Sequence, residues 1–278
     1  MQHTARSMPS HRLPGQSMVG APRRRLIGLD AGHLEHVHRV QRVHRVQHVQ
    51  GRTSLVVTNA APQQMLVFVP PHPLVKHWIA VMRSSETPTP VFRSAAQELG
   101  KILLYELTRE WLPTMDGQVM TPTGHVADAT FVDPTKPIIF VPVLRAGLVL
   151  LEGSQTLVPS SITYHVGYVR DEETLESTCY LNKLPGALGS ESQIVVSDLM
   201  LATGGTMLQT VQDLVARGAL ASNIRILTSF AAPPALQRLN DAFPGLRVYT
   251  GMIDAELDGN GYIVPGCGDA GDRAFGTV

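Results

Sequence analysis

Residues 194–206 read Ile-Val-Val-Ser-Asp-Leu-Met-Leu-Ala-Thr-Gly-Gly-Thr. An apolar, β-branched run ends on an acid, Asp198, and a small polar loop opens a helical pattern. Gly204 and Gly205 let backbone amides approach an anion closely. Thr203 and Thr206 add hydroxyl donors, and the positive end of a helix starting near Thr206 favours a dianion. The loop has no lysine, so it is not the GxxxxGK[ST] nucleotide loop. Thr-Gly-Gly-Thr alone also makes tight turns. Strand, acid, loop and helix in that order carry far more information. Asp198 reads either as a helix-capping acid or as a ligand group at a strand's carboxyl end, where open α/β sheets bind ligands.

Two arginines extend the anion chemistry. Arg145 interrupts the apolar stretch 138–151. A buried guanidinium requires an anion, either a protein carboxylate or a ligand diphosphate, and the adjacent Ala146-Gly147 offers accessible amides. Arg170 sits beside Asp171, Glu172 and Glu173 and reads as a solvated charge or as a second anion contact. Gly266-Cys267-Gly268-Asp269-Ala270-Gly271 matches G-x-G-x-x-G. A dinucleotide fold needs a long helix and another strand after that fingerprint, and the seven residues that follow cannot supply them. Cys179 and Cys267 have no partner at a metal spacing, and two cysteines are too few for a disulfide scaffold. His72, His77, His125 and His165 are isolated and read as structural histidines.

The elements positioning these groups alternate. A short β-rich segment at 65–69 is broken by Pro70, Pro71 and Pro73. The stripe Phe92, Ala95, Ala96, Leu99, Ile102 and Leu103 predicts a helix over 91–111, capped by Thr89 with Pro90 in its first turn. Strands are expected at 138–143, 162–169, 194–197, 224–230 and 246–250. Helices are expected at 148–157, 206–217 and 234–241. This is an α/β chain with a mainly parallel sheet flanked by helices.

The chain has 278 residues and a formal net charge of +0. That balance argues against a dedicated nucleic-acid binder, and the chain has no apolar run long enough for a membrane helix. The zero conceals an asymmetry. The first 50 residues hold eight arginines, no lysine and two acids, or +6, leaving −6 for the rest. Residues 36–50 repeat valine every third position, a period that holds no helix face. Residues 1–62 therefore read as a low-complexity basic extension and 63–278 as the folded domain. An organelle transit peptide ranks first for the extension, a solvated tail second and a nucleic-acid arm third. Composition leaves plastid and mitochondrion open as the address of a transit peptide; a tail leaves the chain in the cytoplasm.

Strand, Asp198, Ala-Thr-Gly-Gly-Thr and helix together resemble the 5-phosphoribosyl-diphosphate (PRPP) signature of type I phosphoribosyltransferases. Pro142-Val143-Leu144-Arg145-Ala146-Gly147 resembles the diphosphate loop of the uracil phosphoribosyltransferases, Tyr168–Thr174 their flexible arm, and Gly261–Thr277 their C-terminal hood. Pro71–His77 and Tyr105-Glu106 fit their N-terminal part. The resemblance runs collinearly over about residues 63–278 and is strongest to the plant plastid branch. It implies pyrimidine salvage by the reaction uracil + PRPP → UMP + diphosphate, with Mg²⁺ held mainly through PRPP. Arg145, Arg170, Asp198 and Asp269 are then the catalytic set. Asp198, Leu199, Met200, Leu201, Ala202, Thr203, Gly204, Gly205 and Thr206 join Arg145, Arg170 and Asp269 in holding PRPP. Ile263, Gly268, Asp269 and Ala270 hold uracil. A GTP effector and a homodimer or larger assembly are implied by some relatives.

Two positions depart from the pattern. Leu199 replaces a proline, and Cys267 replaces a leucine. Proline fixes φ, so Leu199 is expected to loosen the loop that aims Asp198 and Met200. That departure sustains an alternative, a weak or inactive PRPP-binding regulator of the same fold. Cys267 is apolar enough to fill its position at a smaller volume.

Overall fold

The computed structural model describes residues 65–170 and 177–277, with Arg170 and Ser177 described by backbone alone. The basic extension over 1–62 and the arm acids Asp171 to Glu173 lie outside the described residues. The chain enters through β1 (Leu66–Phe68), α1 (Pro73–Arg83) and α2 (Thr89–Thr108). An antiparallel hairpin follows, β2 (Thr114–Met120) and β3 (Val126–Val132). Next come β4 (Ile138–Leu144), α3 (Gly147–Leu151) and α4 (Ser154–Leu157). They lead into β5 (Ser161–Thr163), β6 (Val166–Arg170) and β7 (Ser177–Asn182). The alternation continues through β8 (Ile194–Leu201), α5 (Gly205–Ala216), β9 (Ile224–Ala231), α6 (Pro233–Ala242) and β10 (Arg247–Ile253). The chain closes with β11 (Glu256–Leu257), β12 (Ile263–Val264) and α7 (Ala270–Phe275).

The main sheet has the order β1-β10-β9-β8-β4-β6-β7, with β5 pairing the first half of β4. Every pairing in it is parallel except β6 with β7. Its central strands are buried along nearly their whole length, as a sheet covered on both faces requires. One face packs against α1, α2, α3 and α7 through Val75, Phe92, Leu99, Leu150 and Ala274. The other packs against α5 and α6 through Met207, Val211, Leu214, Ala235 and Leu239. This is the α/β architecture that the strand–helix alternation predicts.

Several boundaries differ from the sequence reading. Pro73 starts α1 instead of breaking structure: proline suits the first turn, where no amide partner is needed, and His72 Nδ1 accepts from the Leu74 amide at 3.1 Å. Thr89 lies inside α2, and Pro88 occupies its N-cap without a side-chain bond. The helix expected over 148–157 is interrupted at Glu152 and Gly153. The strand expected over 162–169 is two strands, separated at Tyr164 and His165. The strand at 194–197 runs on through Asp198 to Leu201, because the pairing with β9 continues, Asp198 beside Thr228, Met200 beside Phe230 and Leu201 beside Ala231.

Candidate active site

The carboxyl ends of β4 and β8 lie side by side, with Pro142 paired to Ser197. The turn after β4 is fixed to β8 at Gly147. A Cβ there would stand 2.1 Å from the Ser197 carbonyl oxygen, and Ser197 Oγ donates to the Gly147 carbonyl at 2.9 Å. Gly204, the N-cap of α5, has φ 77°. A Cβ on it would meet Ala235 Cα at 2.9 Å, so both the left-handed backbone and the contact with α6 demand glycine.

The C-terminal segment folds over these loops as a hood. The Arg83 Nη2 donates to Asp254 Oδ1 at 2.6 Å, and Asp254 Oδ2 accepts from the Gly266 amide at 3.1 Å. Arg83 Nη1 reaches the Gly266 carbonyl at 3.1 Å, and Arg273 Nη1 reaches the Cys267 carbonyl at 2.9 Å. Asp269 caps α7, accepting from the Asp272 amide at 2.9 Å.

Between loops and hood lies a cavity of about 250 Å³ lined by Ala146, Asp198, Met200, Ala202, Gly261–Ile263 and Gly268–Gly271. Seven of the residues singled out from sequence therefore share one crevice: Asp198, Met200, Ala202, Ile263, Gly268, Asp269 and Ala270. Asp198 is half-covered by surface exposure, yet sits among enough protein atoms that desolvation pushes its carboxyl up to about 7. The Leu199 and Met200 amides donate to it and pull the other way. Among the described residues Asp198 has no ion-pair partner within 4.0 Å. No group of three or more His, Cys, Asp or Glu side chains among the described residues could hold a metal.

Residues 69–277 match the family model described as uracil phosphoribosyltransferase. The chain belongs to that family. The chloroplastic uracil phosphoribosyltransferase of Arabidopsis thaliana is 50% identical over 232 residues, covering 82% of this chain and 78% of that protein. The uracil phosphoribosyltransferase of a Nostoc strain is 53% identical over 214 residues, covering 77% of this chain and 99% of that one. Among solved structures, the AQ2163 protein of Aquifex aeolicus aligns with a TM-score of 0.69 at 34% identity, over 76% of this chain and 98% of that one.

Against the family pattern, several sequence expectations change. Arg145 is not a buried cation: its side chain is 53% exposed. It reaches Asp272 Oδ1 at 3.4 Å and Thr277 Oγ1 at 3.3 Å, and lies 5.5 Å from the Phe275 ring centroid. Such long, exposed contacts hold little energy and leave the guanidinium able to turn toward another anion. Leu199 and Leu201 turn their side chains into opposite cores, so only their backbone can reach a ligand. Leu199 is fully buried in a paired strand and its carbonyl accepts from Thr228 Oγ1 at 3.2 Å, which is not a loosened loop. Cys267 fills its place as expected, buried against Met200 with Sγ–Sδ 3.7 Å, and burial pushes its thiol up to about 12. Arg170 ends β6 opposite Ser177. Thr203, Gly204, Gly205 and Thr206 form the turn into α5, beside the cavity wall at Ala202.

Sequence reasoning missed Arg83 and Asp254, which hold the hood; it placed Arg273 and Tyr262 in the hood and Ala146 beside Arg145 without foreseeing that Arg273 fastens the hood or that Ala146 and Tyr262 line the crevice. The Arg83 and Asp254 partners are 171 positions apart, and no local pattern marks such a pair. The only available cue was that isolated charges in apolar segments need partners.

Proposed function

We propose that this chain transfers the 5-phosphoribosyl group of PRPP to N1 of uracil, releasing diphosphate and forming UMP. The C1′–O bond to diphosphate breaks, the C1′–N1 bond forms, and N1 gives up its proton. Positive charge develops on the ribose and negative charge on the leaving group, so the protein's work is positioning and charge stabilisation. The observation carrying this reading is the shared crevice, where Asp198 and the loop after β8 face Ile263 and Gly268–Ala270 of the hood.

In this reading the amides from Ala202 to Thr206 and the α5 dipole hold the 5-phosphate. Asp198 accepts from the ribose hydroxyls. Arg145 exchanges its weak contact with Asp272 for the diphosphate, and Arg170 adds a second cation. Backbone groups near Ile263, Gly268 and Ala270 pair with the uracil carbonyls and N3–H, while the hood excludes water. Asp198 and the free oxygen of Asp269 are hard donors that suit Mg²⁺ reached through water and PRPP oxygens. When bound, that ion neutralises leaving-group charge.

The same reading includes a GTP effector and a homodimer or larger assembly, tested by gel filtration with and without GTP. It places the enzyme domain at 63–278 and makes 1–62 a plastid-directing extension, in line with the chloroplastic relative. Amino-terminal sequencing of the native protein tests that: cleavage before about residue 63 is expected, and an intact Met1 refutes it. The central assay follows UMP formation from uracil, PRPP and Mg²⁺ by the full chain, with cytosine, adenine and orotate as controls. Uracil alone should yield product. Folded protein that forms none with any base overturns the proposal.

A further inference from the structure

The loop after β8 holds no lysine or arginine, so its own charge toward a phosphate dianion comes only from amide dipoles. A cation is nonetheless delivered to it from a different element. α6 packs onto the loop at Ala235, whose Cα would stand 2.9 Å from a Cβ on Gly204. Three residues on, and on the same face of α6, comes Arg238. Long helical side chains lean toward the helix's amino end, which here is the carboxyl end of β9, the level at which α5 also begins. The outcome is direct: a Cβ on Gly205, the first residue of α5, would stand 3.5 Å from Arg238 Nη1. Arg238 is exposed and makes no hydrogen bond or ion pair with the described residues.

We infer that Arg238 supplies the cationic contact of the 5-phosphate subsite. This rests on the PRPP reading above and adds to it a side chain from outside the loop. The guanidinium matches a phosphate monoester in geometry, two N–H donors facing two oxygens. Because the 5-phosphate does not react, the contact binds ground state and transition state alike, and its removal raises KM for PRPP without lowering kcat.

The test uses the full chain with Arg238→Ala, Arg238→Glu and Arg238→Lys, measuring kcat, KM for each substrate, and calorimetric binding of ribose 5-phosphate. For an exposed charge near a dianion, Arg238→Ala should raise KM for PRPP and Kd for ribose 5-phosphate by roughly three- to tenfold. Arg238→Glu should raise them further, and Arg238→Lys should recover most of the loss. KM for uracil and kcat should stay within twofold. The salt dependence of ribose 5-phosphate binding should flatten in the alanine variant. Unchanged binding in the alanine and glutamate variants of a protein that makes UMP overturns the role of Arg238 and leaves the proposed function standing. A wild-type protein that binds neither PRPP nor ribose 5-phosphate overturns both.

Discussion

Two cavities lie at opposite ends of the parallel strands. The one at the carboxyl end of β8 measures about 250 Å³ and is walled by Asp198, glycines and the hood. The one at the amino ends of β9 and β10 is larger, about 500 Å³, and is walled by Phe68, Pro70, Pro71, Arg225, Arg247 and Tyr249. Each contains a covered ionisable group with no ion-pair partner within 4.0 Å among the described residues. In the larger cavity Arg225 is 3% exposed, with its guanidinium 4.1 Å from the Trp111 ring centroid and 5.8 Å from that of Tyr249. Burial pulls its pKa down to about 10, so it stays charged at neutral pH, and it donates to the Leu107 carbonyl. The rings and that carbonyl take up part of its charge, while its buried Nε has no hydrogen-bond partner among the described residues. Among the described residues Asp198 has two backbone amides pulling it down and no ion-pair partner, and burial lifts it to about 7. The larger space sets a cation against aromatic rings, with Glu106 and Glu110 also in its wall, whereas the smaller one presents an acid held by backbone amides. The sign and surroundings of the buried charge separate the two cavities more sharply than their volumes do.

That contrast can be broken experimentally, most forcefully at Asp198. Asp198→Asn should lower kcat/KM for PRPP by roughly 100-fold or more while the fold persists, because in the proposed role the substitution removes a charged acceptor from the sugar. In the wild type, kcat/KM for PRPP should fall as pH drops below about 7, since the carboxyl protonates there in the free enzyme. Its effect on stability has the opposite slope. The folded state keeps this proton to about pH 7 and the unfolded chain releases it near 4, so Asp198 makes the protein less stable as pH rises between those values. Urea titrations of the asparagine variant should lack that component.

A second test attacks the loop's backbone. Gly204→Val combines a φ of 77° with a contact to Ala235, and should cost about 2 kcal/mol or more in chemical denaturation, with weakened PRPP binding. At the other end of the sheet, Arg225→Ala should cost about 2 kcal/mol through lost packing on Trp111, whereas Arg225→Met should be nearly neutral. Both should keep kcat/KM within twofold. A large loss of activity in the methionine variant would erase the distinction between the cavities. The smallest effect is expected for Cys267→Leu, about 1 kcal/mol or less, with KM for uracil changed less than threefold through the contact with Met200.

The segment from Asp198 to Thr206, the end of β8 and the turn into α5, was readable in one dimension because its parts are contiguous: a β-branched run, an acid, two glycines and a helix start. α2 was readable for the same reason, its stripe from Phe92 to Leu103 repeating at the helical period. α1 was not, because Pro73 reads as a breaker until it is seen at a first turn beside a capping histidine. The hairpin β2–β3 carried no clear signal, since most of it is exposed and its alternation is weak. Arg145 was misjudged as buried: its neighbours in sequence are apolar, but they end a strand, and the residue after a strand's end leaves the core.

The sequence by itself determined the parallel α/β architecture, the anion loop and the family, because periodicity and contiguous motifs act over a few residues. It also fixed the charge contrast between a +6 head and a −6 body. Only the tertiary structure decided that the hood closes over Asp198, that Arg83, Asp254 and Arg273 hold it there, and that Arg238 stands beside Gly205. The physical reason is that desolvation and ion pairing depend on what lies within a few ångströms. Residues that distant in sequence come together only when the chain has folded.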